Sequence, residues 1–232
     1  MSDVEKIFFS LLAIVGTVLI FLAMRKLYRT YPNPLLHPVL TATTVIALIL
    51  VLTKVPYVQY KADTKWIEEL LGACVVTLAY PFYKQKKTML RYAKTVSISI
   101  VVGVITAFGS ILLFSKLFKV EQQLFNSMLA KSITTPVAIQ ITEVIGGIPS
   151  LAVTFVMIAG FTGVILGPPL MDRLKIHHPI SRGLALGSAS HALGVAKSTE
   201  YGELCLSMAT VSMTVSAIIG AFVGPLIVTL FI

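Results

Sequence analysis

Charge is what this 232-residue chain has least of: Asp, Glu, Lys and Arg together make up 12% of it, roughly half the share of a soluble globular domain. Only 10 of its residues are acidic, too few and too scattered for a carboxylate-built metal site. The 2 cysteines, Cys74 and Cys205, sit in apolar segments without paired spacing, which excludes a disulfide framework and a zinc motif and leaves them as small core residues. No nucleophile elbow, phosphate-binding glycine loop, zinc motif or acid pair occurs. An enzyme is therefore not expected, nor a cofactor. Linkers and low-complexity tracts are missing too, so residues 1–232 read as a single membrane domain.

What the chain does have is apolar length: 56% of its residues are hydrophobic. Runs of about 20 apolar residues are helical spans, whereas strands would alternate. The fold class is thus an all-α integral membrane protein, a polytopic helical bundle. The expected spans are Ile7–Met24, Leu36–Leu52, Ile67–Tyr83, Val96–Phe114, Ile148–Leu170, Gly183–Ala196 and Leu204–Ile232. The first is not read as a signal peptide, because acids (Asp3, Glu5) precede it and Arg25, Lys26 and Arg29 follow it. The net charge of +9 would suit nucleic acid, but the bases lie in short clusters between spans with no accompanying binding motif. No nucleic-acid partner is expected; the lipid bilayer is.

Sliding the chain on itself by about half its length aligns Pro34 with Pro149, Leu36 with Leu151, Gly72 with Gly187, Leu78 with Leu193, Ser97 with Ser212 and Gly109 with Gly224. This predicts two repeats, about 7–117 and 122–232, and weak internal symmetry of this kind marks transporter folds. Three basic clusters set the orientation: Arg25/Lys26/Arg29, Lys84/Lys86/Lys87/Arg91/Lys94 and Arg173/Lys175/Arg182. Placing all three in the cytoplasm forces the polar segment Leu124–Ile145 to begin and end on the external side. The charge pattern therefore predicts an inverted structural repeat with interrupted, broken or re-entrant, helical segments.

Two polar pieces stand out. The first is Ala130-Lys131-Ser132-Ile133-Thr134-Thr135-Pro136. Its bland reading has Lys131 snorkelling and the threonines bonding back to the helix. Its functional reading has Pro136 freeing the carbonyl of residue 132 within a helix, with broken backbone, hydroxyls and one ammonium turned to a cavity that suits a small carboxylate. Asn126 would add an amide contact. The second piece runs from Gly183 to Ser198. Gly183, Gly187, Ser190, Gly194 and Lys197 share one helical stripe, which packing alone explains for the glycines. It does not explain His191 or Lys197. A buried histidine is often simply satisfied; at mid-span it is also the best candidate for a proton-coupling group. Glu143, the one acid in the first segment, is the second candidate, or else an ion-pair partner for Lys131 or Lys197. The substrate-binding candidates are Asn126, Lys131, Ser132, Thr134, Thr135, Pro136, Ser188, Ser190, His191, Gly194 and Lys197, and no metal ligand is expected. Gly167-Pro168-Pro169 and Gly224-Pro225 read as helix ends or kinks, and His177-His178-Pro179 as a plain basic loop.

The segments Ala130–Pro136, Gly146-Gly147-Ile148-Pro149, Gly167-Pro168-Pro169 and Gly187–Ala196 together resemble the LrgB/CidB family over nearly the whole length. Bacterial members of that family are described as holin-like or antiholin-like modulators of murein hydrolase activity, autolysis and programmed cell death. A plastid relative carries glycolate and glycerate, and bacterial members are linked to pyruvate movement. The resemblance implies a multi-pass protein of the bacterial cytoplasmic membrane that moves a small 2-oxo or 2-hydroxy monocarboxylate anion, alone or with a proton. It also implies a partner of the LrgA/CidA type; for the carrier, the inverted repeat and the interrupted segments favour an elevator motion within a homodimer. The competing expectation is a holin-like pore or a regulator of murein hydrolase export.

Overall fold

The structure is a computed structural model that describes residues 3–31, 33, 36–77 and 79–231. The matches of Pro34 with Pro149 and Leu78 with Leu193, and the end of the span expected at Leu204–Ile232, lie outside the described residues. Among the described residues all regular structure is helical. The chain divides into two compact units, Met1–Ala73 and Cys74–Ile232.

The first unit holds α1 (Asp3–Thr30), α2 (Pro38–Thr53), α3 (Tyr57–Asp63) and most of α4 (Lys65–Thr77). The 28 residues of α1 reach about 40 Å at 1.5 Å per residue, enough to cross a bilayer. It packs against α2 and α3, and two polar contacts join it to α3: Thr17 Oγ1 meets Tyr60 Oη at 2.8 Å and Ser10 Oγ donates to Asp63 Oδ1 at 3.4 Å. Helix α2 starts where His37-Pro38 puts a capping acceptor before a proline in the first turn; that proline needs no donor there. It stops at Lys54, whose backbone is left-handed, and the chain bends by 118° into α3.

The second unit holds α5 (Ala79–Lys84), α6 (Lys86–Arg91), α7 (Ala93–Leu117), α8 (Gln122–Leu129), α9 (Thr135–Val144), α10 (Pro149–Arg173), α11 (Pro179–Ser198) and α12 (Glu203–Phe231). The span expected over Ile67–Tyr83 falls on α4 and α5, with Leu78 between them outside the described residues. Four helices, α1, α7, α10 and α12, are long and apolar enough to span a membrane, or five if α2 and α3 count as one bent span. With large exposed apolar residues such as Ile105, Ile158 and Phe222 on these spans, lipid is the solvent that fits. The protein is a multi-pass helical membrane protein. Gly167-Pro168-Pro169 and Gly224-Pro225 lie inside α10 and α12 and do not end them.

The Cys74–Ile232 unit packs through small residues. A Cβ on Gly183 would collide with the carbonyl of Cys205, and one on Gly187 with the carbonyl of Ala209. Position increases along both helices from the first contact to the second, so the start of α11 and α12 run parallel. Ser212 Oγ donates to Leu184 O at 2.9 Å across the same seam. Consecutive helices can lie parallel only if the chain between them returns.

Candidate functional site

The return is made inside α11. His191 has φ 50° and ψ −129°, a left-handed setting that residues with a Cβ rarely adopt and that costs about 1–3 kcal/mol. Beyond it Gly194 is pressed against the carbonyl of Leu186. The ring of Tyr201 then lies 4.9 Å from the Arg182 guanidinium, although a straight helix would set those residues about 28 Å apart. The segment expected as the span Gly183–Ala196 is thus two limbs turning at Ser190–His191, and it does not cross as one rod. The bend follows from packing: a Cβ on Gly163 of α10 would collide with Ser190 Oγ, and one on Gly160 would lie 3.0 Å from Leu193 Cδ1.

The first polar piece also folds back. Helix α8 ends at Leu129; Ala130–Ser132 form a 3-10 turn; Ile133 and Thr134 are extended; α9 begins at Thr135. Pro136 therefore sits in the first turn of a helix, where it removes no hydrogen bond. The expected freed carbonyl of residue 132 does not arise this way, because the break precedes the proline. The two ends of the piece lie together: Asn126 Nδ2 donates to Ile145 O at 2.6 Å, and Ile148 N donates to Ser127 Oγ at 2.8 Å. Helix α9 ends in a Schellman motif, with Gly146 at φ 72° and Gly147 N donating to Thr142 O at 2.8 Å, which is why two glycines are needed there.

The turning points of the two pieces meet. His191 Nε2 is 3.3 Å from the Lys131 carbonyl oxygen. A carbonyl only accepts, so the proton of a neutral ring is on Nε2 and Nδ1 is left as the free acceptor. His191 is 3% exposed and Ser190 1%, and among the described residues neither His191 Nδ1 nor Ser190 Oγ has a hydrogen-bond partner. Two buried polar atoms without partners at one turning point are the kind of exception that calls for a ligand or water. Lys131 and Ser132 are half-buried and Thr134 is buried, and among the described residues the Lys131 ammonium forms no ion pair. Helix α9, with Thr135 and Pro136 in its first turn, begins four residues after Lys131. Gly194 serves the bend through its close contact with Leu186.

Other expected residues stand elsewhere. Ser188 Oγ is spent on the Leu184 carbonyl at 2.9 Å. Lys197 is paired with Glu200 at 2.7 Å. Glu143 is exposed and pairs with neither Lys131 nor Lys197. Asn126 gives its amide nitrogen to Ile145 O, and its unpartnered atom is the Oδ1 acceptor, the wrong polarity for a carboxylate. Two residues escaped the sequence reading. Arg182, counted only as a topology charge, is 8% exposed; it pairs with Asp172, donates to Ile176 O at 2.7 Å and meets His177 Nδ1 at 3.2 Å. His178, left as plain loop, accepts from Ile180 N at 3.3 Å. A His-Pro pair before an apolar helix, here and at His37-Pro38, was the signal for that cap.

The chain is similar to known proteins along almost all of its length. The profile of the LrgB-like family matches residues 17–230. The uncharacterized protein YxaC of Bacillus subtilis is 49% identical over 96% of both chains. The holin-like protein CidB of Staphylococcus epidermidis is 32% identical over 96% of this chain and 97% of its own, and CidB of Staphylococcus aureus is equally similar. No solved structure matches. A chain matched by the family profile from near its start almost to its end belongs to the LrgB-like family.

Proposed function

We propose that this protein is a secondary carrier of small monocarboxylates, of the pyruvate, glycolate or glycerate type, in the bacterial cytoplasmic membrane, and that its effect on autolysis and cell death follows from that traffic. The observation that carries the reading is the meeting of the two folded-back pieces at His191 and Lys131. A half-buried ammonium, the N-terminus of a 10-residue helix and unpartnered Ser190 and His191 atoms offer a carboxylate its donors. With Nε2 held by the Lys131 carbonyl, Nδ1 turns from acceptor to donor when the ring takes up a proton. Anion and proton would then arrive together. In this reading Lys131, Ser132, Thr134, Thr135, Ser190 and His191 line the site, and Glu143 and Lys197 stand aside.

Alternating access has its own support inside the second unit. At one constant offset Gly163 aligns with Gly220, Gly167 with Gly224 and Pro168 with Pro225, and the same offset carries Ile133 onto Ser190. The packing obeys it: Ser190 lies against Gly163, while a Cβ on Gly220 would lie 2.8 Å from Ile133 Cδ1. A contact and its image, with partners exchanged, are what a two-fold axis between 122–173 and 179–231 produces. This inverted pair is shorter than the half-chain repeat expected from sequence. It has one folded-back piece entering from each side of the membrane, each closing one access route. A cysteine at Gln122 and one at Glu143, both exposed positions, should react with a membrane-impermeant thiol reagent from the same side; labelling from opposite sides would remove the folded-back topology.

Transport is tested by uptake of labelled pyruvate or glycolate into proteoliposomes. Saturable flux that collapses in the Lys131→Ala, His191→Ala double variant is expected, and unchanged flux in that variant would sink the site. The second reading, a holin-like pore, is favoured by the similarity to the holin-like CidB proteins. Escape of a large trapped dye from the same vesicles would support it over the carrier.

A further inference from the structure

We propose a site for a monovalent metal cation of the Na+ type at the C-terminal end of α9, built on Asn126 Oδ1 and Thr142 Oγ1. Both residues are sealed in the protein, at 4% and 0% exposure, and among the described residues both oxygens lack a hydrogen-bond partner. Their shared surroundings are fixed by Gly147: a Cβ there would lie 2.7 Å from Thr142 Cγ2 and 3.1 Å from the Asn126 carbonyl carbon. The amide of Asn126 is not free to flip. Its Nδ2 donates to Ile145 O at 2.6 Å, and a carbonyl requires a donor, so the unpartnered atom is the acceptor.

The unpartnered atoms here are both oxygens. Helix α9 ends at Val144, and the N–H groups of its Schellman turn, Gly146 and Gly147, are already spent on Glu143 O at 3.3 Å and Thr142 O at 2.8 Å. The end of a helix also carries the negative pole of its dipole. An anion would face Asn126 Oδ1 and helix-end carbonyls, which only accept. A divalent ion would demand carboxylates, and Glu143, the one acid on α9, is exposed. An amide oxygen, a hydroxyl and helix-end carbonyls are the neutral donor set that a singly charged hard cation accepts. Helix α9 then has its N-terminus at the carboxylate site and its C-terminus at the cation, so an occupied cation site stiffens the helix that presents the anion site. That last step rests on the carrier reading; the cation site does not.

Thermal unfolding followed by far-ultraviolet circular dichroism, on the full-length protein in detergent without carboxylate, tests the site. Samples in NaCl, KCl and choline chloride at equal ionic strength are compared. Saturating Na+ should raise the midpoint by about 5–10 °C over choline at roughly 100 times its dissociation constant. Thr142→Val should lose the rise while melting normally in choline, and Thr142→Ser should keep it. Equal midpoints in all three salts, or an undiminished rise in Thr142→Val, would overturn the proposal and leave water on these oxygens. Should Thr142→Val not fold, the wild-type comparison and Thr142→Ser still decide. A Na+ rise in a protein with no carboxylate uptake would remove the carrier reading alone.

Discussion

Gly187→Ala is expected to unfold the protein about 6–12 °C earlier than wild type in detergent, with a sharp fall in folded yield. The added methyl has nowhere to go, because the atom it meets is the backbone carbonyl of Ala209 in α12, and no rotamer change moves a backbone. Overpacking typically costs about 1–3 kcal/mol, and the rigid neighbour puts this case at the upper end, about 3 kcal/mol; at this chain length each kcal/mol is worth roughly 2–4 °C. Gly194→Ala should behave alike, since its methyl meets the carbonyl of Leu186. The control is Gly109→Ala in α7, where nothing lies within 4 Å of the new atom and a mid-helix alanine gains about 0.5–1 kcal/mol. Circular-dichroism melts of the three variants give the order; a Gly187→Ala protein melting with wild type would mean that α11 and α12 do not approach as closely as described.

His191→Gly separates folding from function. Glycine adopts φ 50° and ψ −129° without strain, so the variant should fold at least as well as wild type despite losing the contact with Lys131 O. Uptake of labelled carboxylate at low concentration should fall about 10- to 100-fold, the equivalent of losing one hydrogen bond to a charged group, about 1.5–3 kcal/mol. A variant that is both stable and fully active would show the imidazole to be a structural spacer. One that is inactive because it does not fold would show that the Nε2 contact, and not the backbone, holds the turn.

The sequence showed the position of the first break and missed its mechanism. Thr134-Thr135-Pro136 inside an apolar chain announces an irregularity, but local chemistry does not say whether the proline kinks a helix or begins one; the extended backbone at Ile133 decides that. The second turn was harder to read. Gly183–Ala196 has no proline, and alanine, leucine and glycine at helical spacing are compatible with a plain span. What reverses the chain at His191 is the pairing of Gly183 and Gly187 with α12 and of Gly160 and Gly163 with α10, contacts between residues far apart in sequence. Long apolar helices such as α7, α10 and α12 were legible because burial in lipid demands the same length and composition whatever the neighbours are. Lys197 and Glu143 were chosen for their charge alone, and charge does not say that a lysine will find Glu200 three positions on. Arg182 was legible as a charge and illegible as a clamp, since three of its partners, Asp172, Ile176 and Tyr201, are brought to it only by the fold.

Helices of 8 and 10 residues, α8 and α9, are too short to be taken up by a bilayer as independent spans. Ile133 between them needs Gly220, and the opening of α11 needs Cys205 and Ala209, all on α12. A growing chain cannot finish either turning point until that helix has emerged from the ribosome, so every nascent copy must hold its polar turns unsealed until α12 inserts.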